Sequence, residues 1–167
     1  MADIVSLLVL CQALGAAAGV FLAIRGEIAY VQAMRDGKID RAERAHLDLL
    51  ANGLRFGMTA ILFSSLCLVI LSYAASFVPQ PALSTSYWFL ITLALIVTLV
   101  SWALSRNRIS FAFGSAIIFT GWWFLTYLNF GLLPGLSFGP LFAFFVVAVA
   151  VFYGLLQTLR YFALHRG

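Results

Sequence analysis

Five long apolar runs, divided by short polar connectors with a one-sided distribution of charge, constrain this chain more than any other feature. All ten Lys and Arg residues lie in or beside alternate connectors. Arg25, Arg35, Lys38, Arg41, Arg44 and Arg55 surround the first break, Arg106 and Arg108 the third, and Arg160 and Arg166 the C-terminus. The second break (75–87) and the fourth (129–140) carry no charged residue. Basic residues that recur on every other connector obey the positive-inside rule. The expected protein is therefore an all-α integral membrane protein, a bundle of five transmembrane helices with the N-terminus outside and the C-terminus cytoplasmic.

Composition agrees, with 63% hydrophobic and 10% charged residues and a mean hydropathy of +1.04, against roughly 25% charged residues in soluble domains. A span needs about 20 apolar residues. Segments near 4–24, 52–74, 87–105, 109–129 and 139–159 meet that length and leave no room for a second domain, so residues 1–167 read as one unit. The net charge of +4 resides in the expected cytoplasmic connectors. It points to anionic lipid head groups rather than nucleic acid. By the charge rule the expected location is a bacterial cytoplasmic (inner) membrane. Met1-Ala2-Asp3 lacks the positive start of a signal peptide, so the first run is expected to be retained as a helix.

Ser105-Arg106-Asn107-Arg108 reads as a tight hairpin, because merging spans three and four would put two arginines in mid-membrane at ~2.5–3.5 kcal/mol each. Pro79, Pro81, Gly131, Pro134, Gly135 and Pro140 mark the external turns. Tyr73, Tyr87 and Trp88 form an expected aromatic belt. Leu47, Leu50, Ala51 and Leu54 recur at helical spacing, so helix 2 is expected to begin before the bilayer. Ile28, Ala29 and Gln32 extend helix 1 similarly, which predicts a short helical extension turning at Asp36-Gly37-Lys38.

Asp36 to Glu43 matches the second half of an EF-hand loop, but the earlier ligands would be Gln32 and Met34, and a thioether does not serve a hard cation. An Asp-Gly turn with an Asp40–Glu43 cap accounts for the same residues, and no metal site is expected. Glu43-Arg44-Ala45-His46-Leu47-Asp48, followed by Asn52, resembles the start of the second helix in the membrane-associated eicosanoid and glutathione metabolism proteins, over about ten residues. That resemblance implies glutathione chemistry at the cytoplasmic face. The chain departs from the family at Ala51, where an acidic residue is usual, in having no Arg in 56–105, and in its fifth span. A solvated helix face explains the same residues.

No expected span carries Asp, Glu, Lys, Arg or His near its middle, which argues against proton relays and haem ligation. The spans do carry small residues at packing intervals. Gly15-x-x-x-Gly19 and Gly53-x-x-x-Gly57 are helix-packing candidates, and at ~1.5 Å per residue Gly19 and Gly57 fall at similar depth. The same arithmetic levels Cys11 with Cys67, read as two unrelated thiols packed as small apolar residues rather than as a disulfide or soft-metal pair. Trp122, Trp123, Tyr127 and Asn129 are candidate ligand-binding residues, facing the Phe-rich fifth helix through Phe138, Phe142, Phe144 and Phe145. A lipid or other lipophilic ligand would suit them; no cofactor is expected.

Three functions are open at this point. The first is a non-catalytic accessory or scaffold subunit of a larger membrane assembly, with membrane lipids and other subunits or its own copies as partners. The second is a small carrier, channel or receptor for a neutral or lipophilic molecule, using Gln12, Ser64, Ser65, Thr92, Thr98 and Asn129. The third is a membrane enzyme with a cytoplasmic-face site at His46, Glu43 or Arg44.

Overall fold

A computed structural model describes residues 2–33, 41–75, 80–106, 108–133 and 135–165. Five α-helices carry almost all of it: α1 (Ala2–Ala33), α2 (Arg41–Ala75), α3 (Thr85–Ser105), α4 (Phe111–Asn129) and α5 (Phe138–His165). A single 3-10 turn, Pro81–Leu83, precedes α3, and no strand occurs among the described residues. All five helices are long and apolar enough to cross a membrane. The turn expected at 36–38, with the EF-hand-like stretch and Asp40, lies outside the described residues.

The ends are set by local chemistry. Ser84 caps α3, its hydroxyl accepting from Tyr87 N–H at 3.2 Å, which satisfies one of the donors a helix start leaves open. At the end of α4, Leu132 N–H donates to Tyr127 O at 2.9 Å and Gly131 N–H to Leu128 O at 3.1 Å. This is the Schellman arrangement, and it needs a left-handed residue. Gly131 supplies it, with φ +65°. The α3–α4 hairpin closes with Arg108 N–H donating to Ala103 O at 2.9 Å. Both arginine heads fold back over the exposed Trp102 ring, at 4.8 Å (Arg106) and 5.3 Å (Arg108). α5 runs on to His165, well beyond the expected end near 159, because Tyr161, Phe162 and Ala163 continue the apolar helix past Arg160.

α1 and α2 pack against each other along much of their lengths, and α4 touches α1, α3 and α5. α4 is the most buried of the five. Its small residues explain why. Gly114, Ser115, Ala116, Thr120 and Gly121 are all buried, so neighbouring backbones approach closely without clashing. A Cβ at Gly121 would stand 2.5 Å from Val97 Cγ2 of α3. The core is filled by Trp122, Phe89, Ile61, Leu93 and Leu125, each at most 1% exposed.

α5 lies on α4 through a ladder of rings. Phe145 and Phe144 meet Phe124 with centroids 5.3 and 5.4 Å apart, Phe152 meets Phe119 at 5.4 Å, and Tyr153 meets Phe113 at 6.3 Å. Near its start, Phe138 reaches Phe89 of α3 at 5.9 Å. Tilted and edge-on aromatic pairs of this kind add ~0.5–1.5 kcal/mol each beyond their buried area.

Candidate functional site

The glycines of α1 and α2 face each other. A Cβ at Gly15 would lie 3.1 Å from Gly57 O, and one at Gly57 3.0 Å from Gly15 O. Gly57 is thus paired with Gly15, one turn from the depth-matched Gly19. Gly19 instead receives the ring of Trp122: a Cβ there would overlap the indole, and the same ring reaches within 3.3 Å of a Cβ at Gly57. Gly53 makes room for Leu22, whose Cδ1 would be 2.7 Å from an added Cβ. Beside this contact Gln12 Nε2 donates to Ser65 Oγ across the pair at 2.8 Å. Cys11 is exposed and Cys67 partly buried, and both are free thiols.

Trp122, Trp123, Tyr127 and Asn129 do not converge on one space. Successive helical residues point about 100° apart, so Trp122 turns into the α1–α2 seam. Trp123 lies against Phe119 and Tyr127 of its own helix, at 6.3 and 6.0 Å. Asn129 Nδ2 donates back to Leu125 O at 2.6 Å. The indole N–H groups of Trp122 and Trp123 are buried and meet no acceptor among the described residues. Thr126 is better placed: its hydroxyl bonds to Ala16 O of α1 at 3.1 Å as well as Trp122 O at 3.0 Å.

Two of the hydroxyls considered for a solute path are used locally. Thr92 donates to Trp88 O at 2.8 Å and Thr98 to Ala94 O at 2.7 Å, each on its own helix. On α2, His46 is exposed, and Asn52 Oδ1 accepts from Arg55 Nη1 at 3.1 Å. Among the described residues no three His, Cys, Asp or Glu side chains come together as metal ligands would.

The densest polar cluster is one that reading along the chain placed at a helix end. Arg160 of α5 is only 7% exposed. Its Nη2 donates to Glu27 Oε2 of α1 at 2.6 Å and to Ser115 Oγ of α4 at 2.6 Å. Tyr30 and Phe111 stack on each other at 3.7 Å, and the guanidinium carbon lies 5.6 and 5.4 Å from their centroids. Three helices are thereby tied by one cation, which has a carboxylate, a hydroxyl and two rings around it. Such a pair is costly to desolvate and depends on good geometry; both contacts here, at 2.6 Å, fall just below the ~2.7–2.9 Å usual for charge-assisted N–H···O bonds. Arg160 Nε is buried and has no acceptor among the described residues. A cleft of about 370 Å³ opens beside the pair, between α1 and α5.

Sequence alone did not join these residues, although two signals could have drawn attention to them. Glu27 is the last acidic residue before the first connector, and Arg160 stands within an apolar stretch that continues after it.

No family model, curated protein or solved structure matches the chain. The short likeness to the glutathione family at the start of α2 therefore has no wider alignment behind it.

Proposed function

We propose that the protein is a multi-pass membrane protein of a bacterial inner membrane, N-terminus outside and C-terminus cytoplasmic, serving as a non-catalytic accessory or scaffold subunit of a larger assembly. The orientation is supported by the confinement of Lys and Arg to alternate connectors. The subunit role is supported by one observation above others. Leu7, Leu14, Phe21 and Ile28 on α1, and Leu49, Phe56, Phe63 and Ile70 on α2, are all exposed and recur at intervals of seven. An ideal straight helix drifts about 20° per heptad, so a strict seven-residue apolar repeat suits a left-handed helix partner. Phe56 is the extreme case, 78% exposed in the middle of a long helix.

Solute passage through the centre is less well supported, because large side chains fill it and Thr92, Thr98 and Asn129 bond to their own helices. For catalysis at His46, the described residues hold no group of three His, Cys, Asp or Glu side chains that could bind a metal.

Extraction in native lipid followed by intact-mass determination tests the proposal. A stoichiometric particle containing other chains, or a defined homo-oligomer, is expected. A photo-crosslinking residue in place of Phe63 should give one discrete protein adduct. A monomer whose position 63 crosslinks only to lipid would overturn the subunit role.

A further inference from the structure

The shortest connector between helices, from α3 to α4, gathers two cations on one ring. Arg106 and Arg108 are both exposed, yet their guanidinium carbons lie 4.8 and 5.3 Å from the centroid of the same Trp102. Each is therefore about 5 Å from one point, and the two are no farther apart than twice that. The backbone holds this arrangement. Arg106 N–H donates to Trp102 O at 3.3 Å and Arg108 N–H to Ala103 O at 2.9 Å. Leu104 and Ile109, one on either side of the turn, both come within 3.1 Å of a Cβ placed on Gly114, so the hairpin is packed against the start of α4.

The charge gathered there is unanswered. Arg160 has Glu27, but neither Arg106 nor Arg108 meets a carboxylate or another side-chain acceptor among the described residues. Each guanidinium carries five N–H donors in a fixed fork, and two like charges held this close repel each other. The start of α4 adds to the same sign. Ser110 caps it without a side-chain bond, and a helix start carries a partial positive charge. An anion seated across both arginines would relieve the repulsion and use the free donors.

Trp102 says what kind of anion. It is nearly half exposed at the end of a membrane-length apolar helix, and an indole in that position favours the membrane–water interface. We propose that Arg106, Arg108 and Trp102 form a site for an anionic phospholipid: phosphodiester oxygens accept from both guanidiniums, and the indole packs on the glycerol and the first part of an acyl chain. A zwitterionic head group brings its own ammonium to a place that already holds two unanswered cations. The site therefore selects phosphatidylglycerol over phosphatidylcholine. This rests on the membrane placement proposed above but not on the subunit role.

The test uses the full chain in phosphatidylcholine vesicles containing a minor fraction of either phosphatidylglycerol or phosphatidylcholine with a diazirine beside the ester carbonyl. Flotation of the vesicles first establishes insertion, so that a failure of membrane placement is seen separately. After irradiation, peptide mapping over 101–110 should find labelling by phosphatidylglycerol at least about five-fold above that by phosphatidylcholine, the factor one arginine near a head group supplies. The excess should vanish when Arg106→Gln and Arg108→Gln are combined. Trp102→Leu keeps both charges but removes the ring that gathers them, and should lower the excess about two-fold or more. If the double variant fails to insert, Trp102→Leu alone decides. Equal labelling by the two lipids would overturn the proposal, as would an excess unchanged by Trp102→Leu, for which a diffuse positive surface suffices. So would an excess that sodium phosphate removes at an ionic strength where sodium chloride does not, since the ligand would then be free phosphate.

Discussion

Replacing Gly19 by Ala should destabilise the bundle, whereas the same change at Gly26, on the same helix, should not. Both substitutions gain intrinsic helix propensity, up to ~1 kcal/mol. Gly26 has no atom within 4 Å of an added Cβ, so nothing opposes the gain. At Gly19 the new methyl would overlap three carbons of the Trp122 indole, with Cδ2 at 2.6 Å. The ring would have to retreat by about 1.5–2 Å to bring its nearest carbon, Cε3, to ordinary contact distance. It is 1% exposed and also packed on Gly57, so it has little space to do so. Overpacking of this kind costs about 1–3 kcal/mol, leaving Gly19→Ala on the order of 1–2 kcal/mol less stable than the parent and further still below Gly26→Ala. Reversible unfolding by SDS in mixed micelles, followed by far-UV circular dichroism, measures all three. A third arm isolates the cause. Trp122→Phe shortens the ring and should cost less when combined with Gly19→Ala than it does in the parent, with a coupling of about 1 kcal/mol. Equal stability of Gly19→Ala and Gly26→Ala, or a Trp122→Phe cost independent of residue 19, would refute the reasoning.

Thr126→Val keeps the side chain's shape but removes its bond to Ala16 O; interhelical bonds in membranes average ~0.6 kcal/mol and reach ~1.7, and the same unfolding assay should find a loss in that range. Glu27→Gln and Arg160→Met each break a buried pair and should cost about 3–5 kcal/mol, whereas Glu27→Leu with Arg160→Met should cost less than either single change, since neither partner is then left unpaired; a double variant worse than both singles would contradict the pairing. Gly131→Ala forces a side chain into the left-handed region at φ +65°, and should lower stability by ~1–2 kcal/mol with fraying confined to the end of α4 on hydrogen exchange.

The helices were legible because each is a long apolar run with turn formers or charge at its ends. How they face one another was much less so. α3, α4 and α5 are apolar around their whole circumference, and such helices show no single inward stripe. Small residues were the remaining guide. They pointed to the α1–α2 seam but not to its register, in which Gly57 meets Gly15 because Trp122, from a helix a hundred residues on, occupies Gly19. Gly114 and Gly121, which admit the side chains flanking α4, stood out from no motif at all. Arg160 was misplaced for a plain reason. Hydropathy along the chain treats an arginine as the end of a span, whereas here Glu27 and Ser115, from two other helices, allow the helix to carry it inside.

α4 binds its neighbours by three different means, and this bears on which of them can move. Toward α3 it uses close approach, Gly121 against Val97, with one edge-on ring pair, Phe124 on Phe89 at 6.3 Å. Toward α1 it combines the Trp122 ring, seated on Gly19, with the Thr126 bond to Ala16 O. Contacts of both kinds are short-ranged and fade steeply when a helix shifts by an ångström. Toward α5 the means are aromatic rings and one charge-assisted bond, from Arg160 to Ser115. α5 is also the least buried of the five helices. The ring pairs are spread along α5, whereas its polar attachment to α1 among the described residues is the Arg160–Glu27 contact beside the cleft. Loss of that contact should therefore loosen the basic end of α5 first, while the Phe124, Phe144 and Phe145 cluster keeps the other end in place. Hydrogen exchange on Glu27→Gln would show this as protection lost over 156–163 and retained over 138–150. Uniform loss along the helix would mean instead that α5 detaches as one unit, and that the ion pair is its principal anchor.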